Sequence, residues 1–214
     1  MTVTEALNAR HSTRAFLSTP VEKEKLIEIA NAAARTPSWT DIQPWNAFIA
    51  TGETLDKIRK AYKENYSQNA KSVPETPRPT QWSETATKRQ KEFFASIKTD
   101  CGDAASQFNA LNEALFNAPA VMFLGADKVG TEWLLYDIGA YSQSVMLAAI
   151  ERGLSTIPAV TLVQFPEVIR KEMEIPDDVN LVIGIAIGYA DKEHGINKFI
   201  TKRAPLDETV HFFD

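Results

Sequence analysis

Residues 132–152 constrain the fold more than any other part of the chain. Leu134, Leu135, Ile138, Tyr141, Val145 and Ala149 recur at helical spacing with few charges between them. The helix they form must be covered around most of its circumference, by other elements or by a partner subunit. Gly153 follows where a C-terminal cap belongs. A central helix of this kind needs a broad apolar surface to lie against, and four apolar runs are strand candidates: residues 45–50, 118–126, 154–162 with Pro158 interrupting, and 181–187 ending at Gly188.

Helical spacing also predicts helices over residues 4–9, 22–33, 53–70, 84–98, 103–115 and 165–173. Strands and helices mix without regular alternation, which makes the class α+β, a sheet covered by helices. The length of 214 residues fits one domain, 1–214, around one core. Pro74, Pro77 and Pro79 break the chain between two helices. Such an excursion serves either as a rim or lid or as a tolerated surface insertion.

Composition narrows the function. A net charge of -5 gives no electrostatic footing for nucleic acid. Cys101 has no internal disulfide partner, and His11, His194 and His211 are too scattered for a metal site. No leader pattern opens the chain and no uncharged apolar run approaches a membrane span, so a cytoplasmic protein is expected.

Three short clusters carry the chemistry. Arg10-His11-Ser12-Thr13-Arg14 offers two guanidinium forks and two hydroxyls, a donor set suited to a phosphate and a ring carbonyl. In isolation, such a stretch is more often a surface cluster beside a helix end. Residues 37–45 read Pro-Ser-Trp-Thr-Asp-Ile-Gln-Pro-Trp. This is a loop stiffened by two prolines, in which Trp39 and Trp45 by themselves read as packing residues. Arg203 stands in Lys-Arg-Ala-Pro-Leu near the C-terminus and alone reads as solvated. Neither a Gly-rich dinucleotide fingerprint nor a P-loop competes for phosphate, and no serine has a histidine–carboxylate pattern around it.

Together, Arg10-x-Ser12-x-Arg14, Pro37-Ser38 with Gln43-Pro44-Trp45, and Arg203-x-Pro205-Leu206 resemble the nitroreductase family of FMN enzymes. The stretches Gly153–Pro158 and Gly184–Tyr189 join the likeness, which is weakest between about Tyr66 and Asn117.

The resemblance implies a nitroreductase-like α+β fold, a mostly antiparallel central sheet covered by helices, in a domain-swapped homodimer with FMN at the subunit interface. It implies that the Arg10-His11-Ser12 stretch and Arg203 hold the phosphate and ribityl end of FMN. Arg14 would meet the pyrimidine edge, and the backbone of Pro158, Ala159 and Val160 the edge that carries N5. Ser38, Trp39 and Gln43 would come from the other subunit. Position 41 is Asp where the family often has Asn, so a carboxylate replaces an amide donor. The implied reaction uses NADH or NADPH to reduce a nitroaromatic, quinone or related acceptor through flavin N5, with no catalytic side chain of its own. Trp82, Phe93 and Phe94 are candidates to wall the acceptor pocket, although their helical spacing also fits core positions. Competing outcomes on the same cradle are dehalogenation, flavin cleavage and flavin binding without catalysis.

Overall fold

A computed structural model describes residues 1–213. A four-stranded sheet runs in the order β1-β2-β4-β3, with β1 Asn46–Thr51, β2 Ala120–Asp127, β3 Ser155–Ala159 and β4 Val179–Gly188, and every neighbouring pair is antiparallel. Alternation along β2 explains why it reads as an unbroken apolar run. Val121 and Phe123 enter one core cluster, while Ala120, Met122 and Leu124 enter another. A strand buried on both faces has no polar side to show.

Around the sheet lie α1 Val3–Ala9, α2 Lys23–Ala33, α3 Gly52–Ser67, α4 Glu84–Cys101, α5 Phe108–Glu113, α6 Glu132–Glu151 and α7 Pro166–Met173. Among the described residues, none of these helices is long and apolar enough to cross a membrane. Helix α1 starts on a reciprocal cap: Glu5 N–H donates to Thr2 Oγ1 at 3.2 Å, and Thr2 N–H donates to Glu5 Oε2 at 2.7 Å. Helix α6 takes the central place expected of it. Ile138, Tyr141, Val145 and Ala149 join Leu26 and Ile29 of α2 and Met122 of β2 in one cluster. Gly153, at φ +72, adopts the left-handed conformation that lets the chain leave α6 for β3.

Two elements differ from expectation. Residues 103–115 do not form one helix: a 3-10 stretch, Gly102–Gln107, precedes α5, and Leu115, Phe116 and Asn117 then take positive φ. Burial of Leu115 at 0% and Phe116 at 1% exposure overrides the local helical preference. The third strand stops at Ala159, and Val160–Val163 form a 3-10 turn. Pro158 is tolerated because β3 lies at a sheet edge, where a missing N–H breaks no ladder.

Residues 70–83 are tied down by a shielded ion pair. Both Glu75 oxygens accept from Arg170 of α7, and Glu75 Oε2 also accepts from Leu181 N–H at 2.6 Å. Arg170 spends its remaining donors on the Ile175, Pro176 and Val179 carbonyls.

Candidate functional site

The stretch after α1 docks on the free edge of β3. Ser12 bridges Thr156 in parallel, Thr13 N–H donates to Thr156 O at 3.0 Å, and Leu17 N–H donates to Tyr189 O at 2.8 Å. Arg10, Ser12 and Arg14 are thereby brought to the strand that carries Pro158 and Ala159. A residue with no local signature completes the clamp. Asn197 Oδ1 accepts from Arg14 N–H and Ala15 N–H at 2.7 and 3.1 Å, while its Nδ2 donates to Ala15 O and Asp191 O, both at 2.8 Å.

The three arginines stand in distinct surroundings. Arg14 is buried at 6% exposure, and its guanidinium lies 4.9 Å from the Phe199 ring centre, 5.7 Å from Phe108 and 5.9 Å from Phe93. Its side-chain hydrogen bond goes to Ser12 O at 3.1 Å, and burial pulls its pKa down. Arg10 is half-buried with Nη1 4.0 Å from Met146 Sδ of α6; its pKa is lowered first by burial and then by the charge of Arg203. Arg203 is exposed and turned onto Thr201, with Nη1 donating to Thr201 Oγ1 at 2.8 Å. Among the described residues, none of the three forms an ion pair with a carboxylate. Arg10, its charge disfavoured by burial and by Arg203, and the desolvated Arg14 of the same stretch make a cluster that would favour an anion. His11 turns back onto α1, its Nδ1 3.0 Å from Ala9 O.

The loop after α2 is compact and strained. Gln43 N–H donates to Ser38 Oγ at 2.9 Å, Gln43 Nε2 donates to Asp41 Oδ1 at 3.1 Å, and Thr40, Asp41 and Gln43 all hold positive φ. It is pinned to α6 by Thr36 Oγ1 donating to Ser144 Oγ at 2.7 Å and by Trp39 N–H donating to Asp137 Oδ2 at 3.2 Å. Asp137 and Met146 lie nine positions apart on α6. On a helix that spacing is about 13.5 Å of rise and about half a turn of azimuth. Within one protomer, α6 therefore stands between the Ser38–Gln43 loop and Arg10, and the chain does not bring them together.

The turn that follows β3 leaves Val160 exposed and is fixed from behind. Buried Tyr62 of α3 donates its hydroxyl to Leu162 O at 2.7 Å and accepts from Phe165 N–H at 3.4 Å. Thr161 Oγ1 meets Asn112 Oδ1 at 3.2 Å, and a Cβ on Gly184 of β4 would collide with the Leu162 side chain. Pro158, Ala159 and Val160 lie on a backbone edge whose first 3-10 amides have no acceptor inside the turn.

Of the three aromatic wall candidates, Phe93 belongs to the Arg14 cage and stacks edgewise on Phe199 at 5.1 Å. Phe94 is exposed beside Phe108 on a cavity of about 770 Å³, and Trp82 is exposed just ahead of α4. A larger cavity, about 910 Å³, runs between α4 and residues 199–205 and is lined by Phe93, Phe199 and Arg203. Sequence reasoning missed Asn197, the cage residues Phe108 and Phe199, Asp137 and Tyr62, each of which acts on residues distant in sequence.

Comparison with known proteins agrees with the fold. A family model described as the nitroreductase family matches residues 7–189. The 4-nitrobenzoate reductase of Pseudomonas putida is 29% identical over 211 residues, covering 95% of this chain and 92% of that one. The chloronitrobenzene nitroreductase of Comamonas testosteroni is 29% identical over 224 residues, covering 98% and 96%. The crystal structure of an FMN and NADPH-dependent nitroreductase, NfnB, from a Sphigopyxis strain superposes with a TM-score of 0.92 at 28% identity, covering 100% of both chains.

Proposed function

The chain belongs to the nitroreductase family, and from that premise we propose that it is an FMN-dependent oxidoreductase, using NADH or NADPH to reduce nitroaromatic, quinone or related acceptors. One observation carries the cofactor: Arg10, Arg14 and Arg203 converge without a carboxylate among the described residues to neutralise them. A flavin phosphate fits the Arg10–Arg203 pair, with Ser12 beside it as a small donor and His11 in the same stretch. Arg14, desolvated and held by aromatic faces, fits the electron-rich edge of the ring. Pro158, Ala159 and Val160 would present backbone to the N5 edge. When bound, FMN would supply the redox chemistry at N5 while these residues hold and orient it, so no catalytic side chain would be needed.

We further infer that residues 1–214 form one FMN-binding domain and that the site is completed in a homodimer. Ser38, Trp39 and Gln43 face away from Arg10 across α6, so they serve a flavin only if lent to a second copy. Exposed apolar groups support such an interface: Leu135 on α6, and Ile200, Leu206, Phe212 and Phe213 in the tail. The tail is tied to its own protomer by Arg89 and Glu208 at 2.8 Å, and a domain-swapped arrangement would bury its apolar side chains on the partner.

Absorbance spectra of the purified protein, taken before and after anaerobic addition of each nicotinamide, test the assignment. The expected result is a yellow protein that bleaches with at least one nicotinamide and regains colour with nitrobenzene. A protein that stays colourless after incubation with FMN overturns the cofactor assignment. One that is yellow but inert to both nicotinamides overturns the reductase assignment.

A further inference from the structure

Loop 38–43 and the start of α6 present a surface of unusual character. Trp39 is 56% exposed and Trp133 61% exposed, their rings meeting edge to face at 5.7 Å, and Tyr136 follows one helical step on at 73% exposure. Open indoles beside one another offer a planar aromatic ring apolar faces and edges to pack on. Two carboxylates, Asp41 and Asp137, stand on the same loop and helix. Asp41 is held at φ +60 with Oδ1 accepting from Gln43 Nε2 at 3.1 Å, which gives its carboxylate a fixed direction. Asp137 lies directly under Trp39, accepting its N–H at 3.2 Å. Neither carboxylate pairs with a cation among the described residues.

We propose that this surface is the wall of the acceptor pocket and that it selects acceptors by charge: Trp39 and Trp133 receive the ring of a neutral aromatic acceptor, and Asp41 disfavours aromatic acceptors bearing a carboxylate. The assignment rests on loop 38–43 being lent to the flavin of the partner subunit. Asp41 is the selective element because it stands on the exposed tip of the loop, where an incoming ring substituent meets it before the buried Asp137. Through partly aqueous surroundings a like-charge encounter of this kind changes a rate constant by several-fold, and added salt weakens it.

The test isolates reoxidation from the donor, whose own phosphates would respond to the same charge. The holoprotein is photoreduced anaerobically and mixed in stopped flow with either nitrobenzene or 4-nitrobenzoate, and the ratio of the two second-order rate constants is compared between proteins. Using the ratio removes the intrinsic difference in reducibility of the two compounds. In Asp41→Asn the rate constant for 4-nitrobenzoate relative to nitrobenzene should rise about three- to tenfold at low ionic strength. That gain should fade at about 0.5 M salt, where screening acts within about 4 Å. Loss of packing alone would slow both acceptors and leave no salt dependence in the ratio. If Asp41→Asn fails to retain flavin, Asp41→Ser is the second variant, and the wild-type ratio should itself rise with salt. An Asp41 variant with the wild-type ratio at all salt concentrations overturns the charge assignment. A wild-type flavin that neither compound reoxidises overturns the parent reading, and this proposal with it.

Discussion

Arg14 is the residue whose surroundings most demand something from outside the chain. A guanidinium at 6% exposure, faced by Phe93, Phe108 and Phe199 and bonded to Ser12 O, has lost water without gaining a counter-ion. A flavin edge that gains negative charge on reduction would be favoured beside it. If that preference is about 1.4 kcal/mol, Arg14→Gln should lower the two-electron midpoint potential of bound FMN by about 30 mV, read by spectroelectrochemical titration. An unchanged potential in a variant that still binds FMN would remove Arg14 from tuning the ring. Arg203 answers to a different measurement. Charge-assisted bonds to a phosphate contribute roughly 1.5 to 3 kcal/mol each, so Arg203→Ala should weaken FMN by about 10- to 150-fold in fluorescence titration, more than Arg14→Gln does. Equal affinity would take Arg203 out of the site. Arg10, Ser12 and Arg14 could be picked from the sequence because they are neighbours in one stretch. Asn197 could not, since it binds Ala15 from 182 positions away and no spacing rule reaches that far.

Element boundaries around the site are decided by contacts behind it. The Val160–Val163 turn follows directly on β3 because Tyr62 holds Leu162 O and Phe165 N–H from α3. Tyr62→Phe removes the donor to a buried carbonyl, and the expected cost is about 1–3 kcal/mol in urea unfolding. A stability change within about 0.5 kcal/mol of zero would show that the hydroxyl is not what anchors the turn. Residues 154–162 read as one strand because Val160 and Leu162 are as apolar as strand residues; the burial of Leu162 is a tertiary fact. The same holds for residues 103–115, whose helical spacing is broken where Leu115 and Phe116 turn into the core. Arg59 of α3 secures that break, donating to the Ala114 and Ala118 carbonyls at 3.2 and 2.6 Å.

At the scale of the whole molecule, α6 is both the core of the fold and the barrier inside a protomer. Its buried side packs on α2 and the sheet, while Leu135 stays open to a second copy. Co-expressed Arg10→Ala and Ser38→Ala/Gln43→Ala chains should therefore form heterodimers with one intact site, binding more FMN per dimer than either parent homodimer. Mixed dimers no better than the parents would refute the shared site. By itself the sequence determined the α+β class, the central helix, the strand runs and the three basic and polar clusters, because periodicity and adjacent donors are local properties that a one-dimensional reading can see. Only the tertiary structure decided which clusters meet. Asn197 and the Thr156 edge seat Arg14 beside β3, Arg203 is carried back to Arg10, and the Ser38–Gln43 loop is fixed on the far side of α6. The physical reason is that burial, desolvation and backbone pairing act between residues close in space, whatever their separation along the chain.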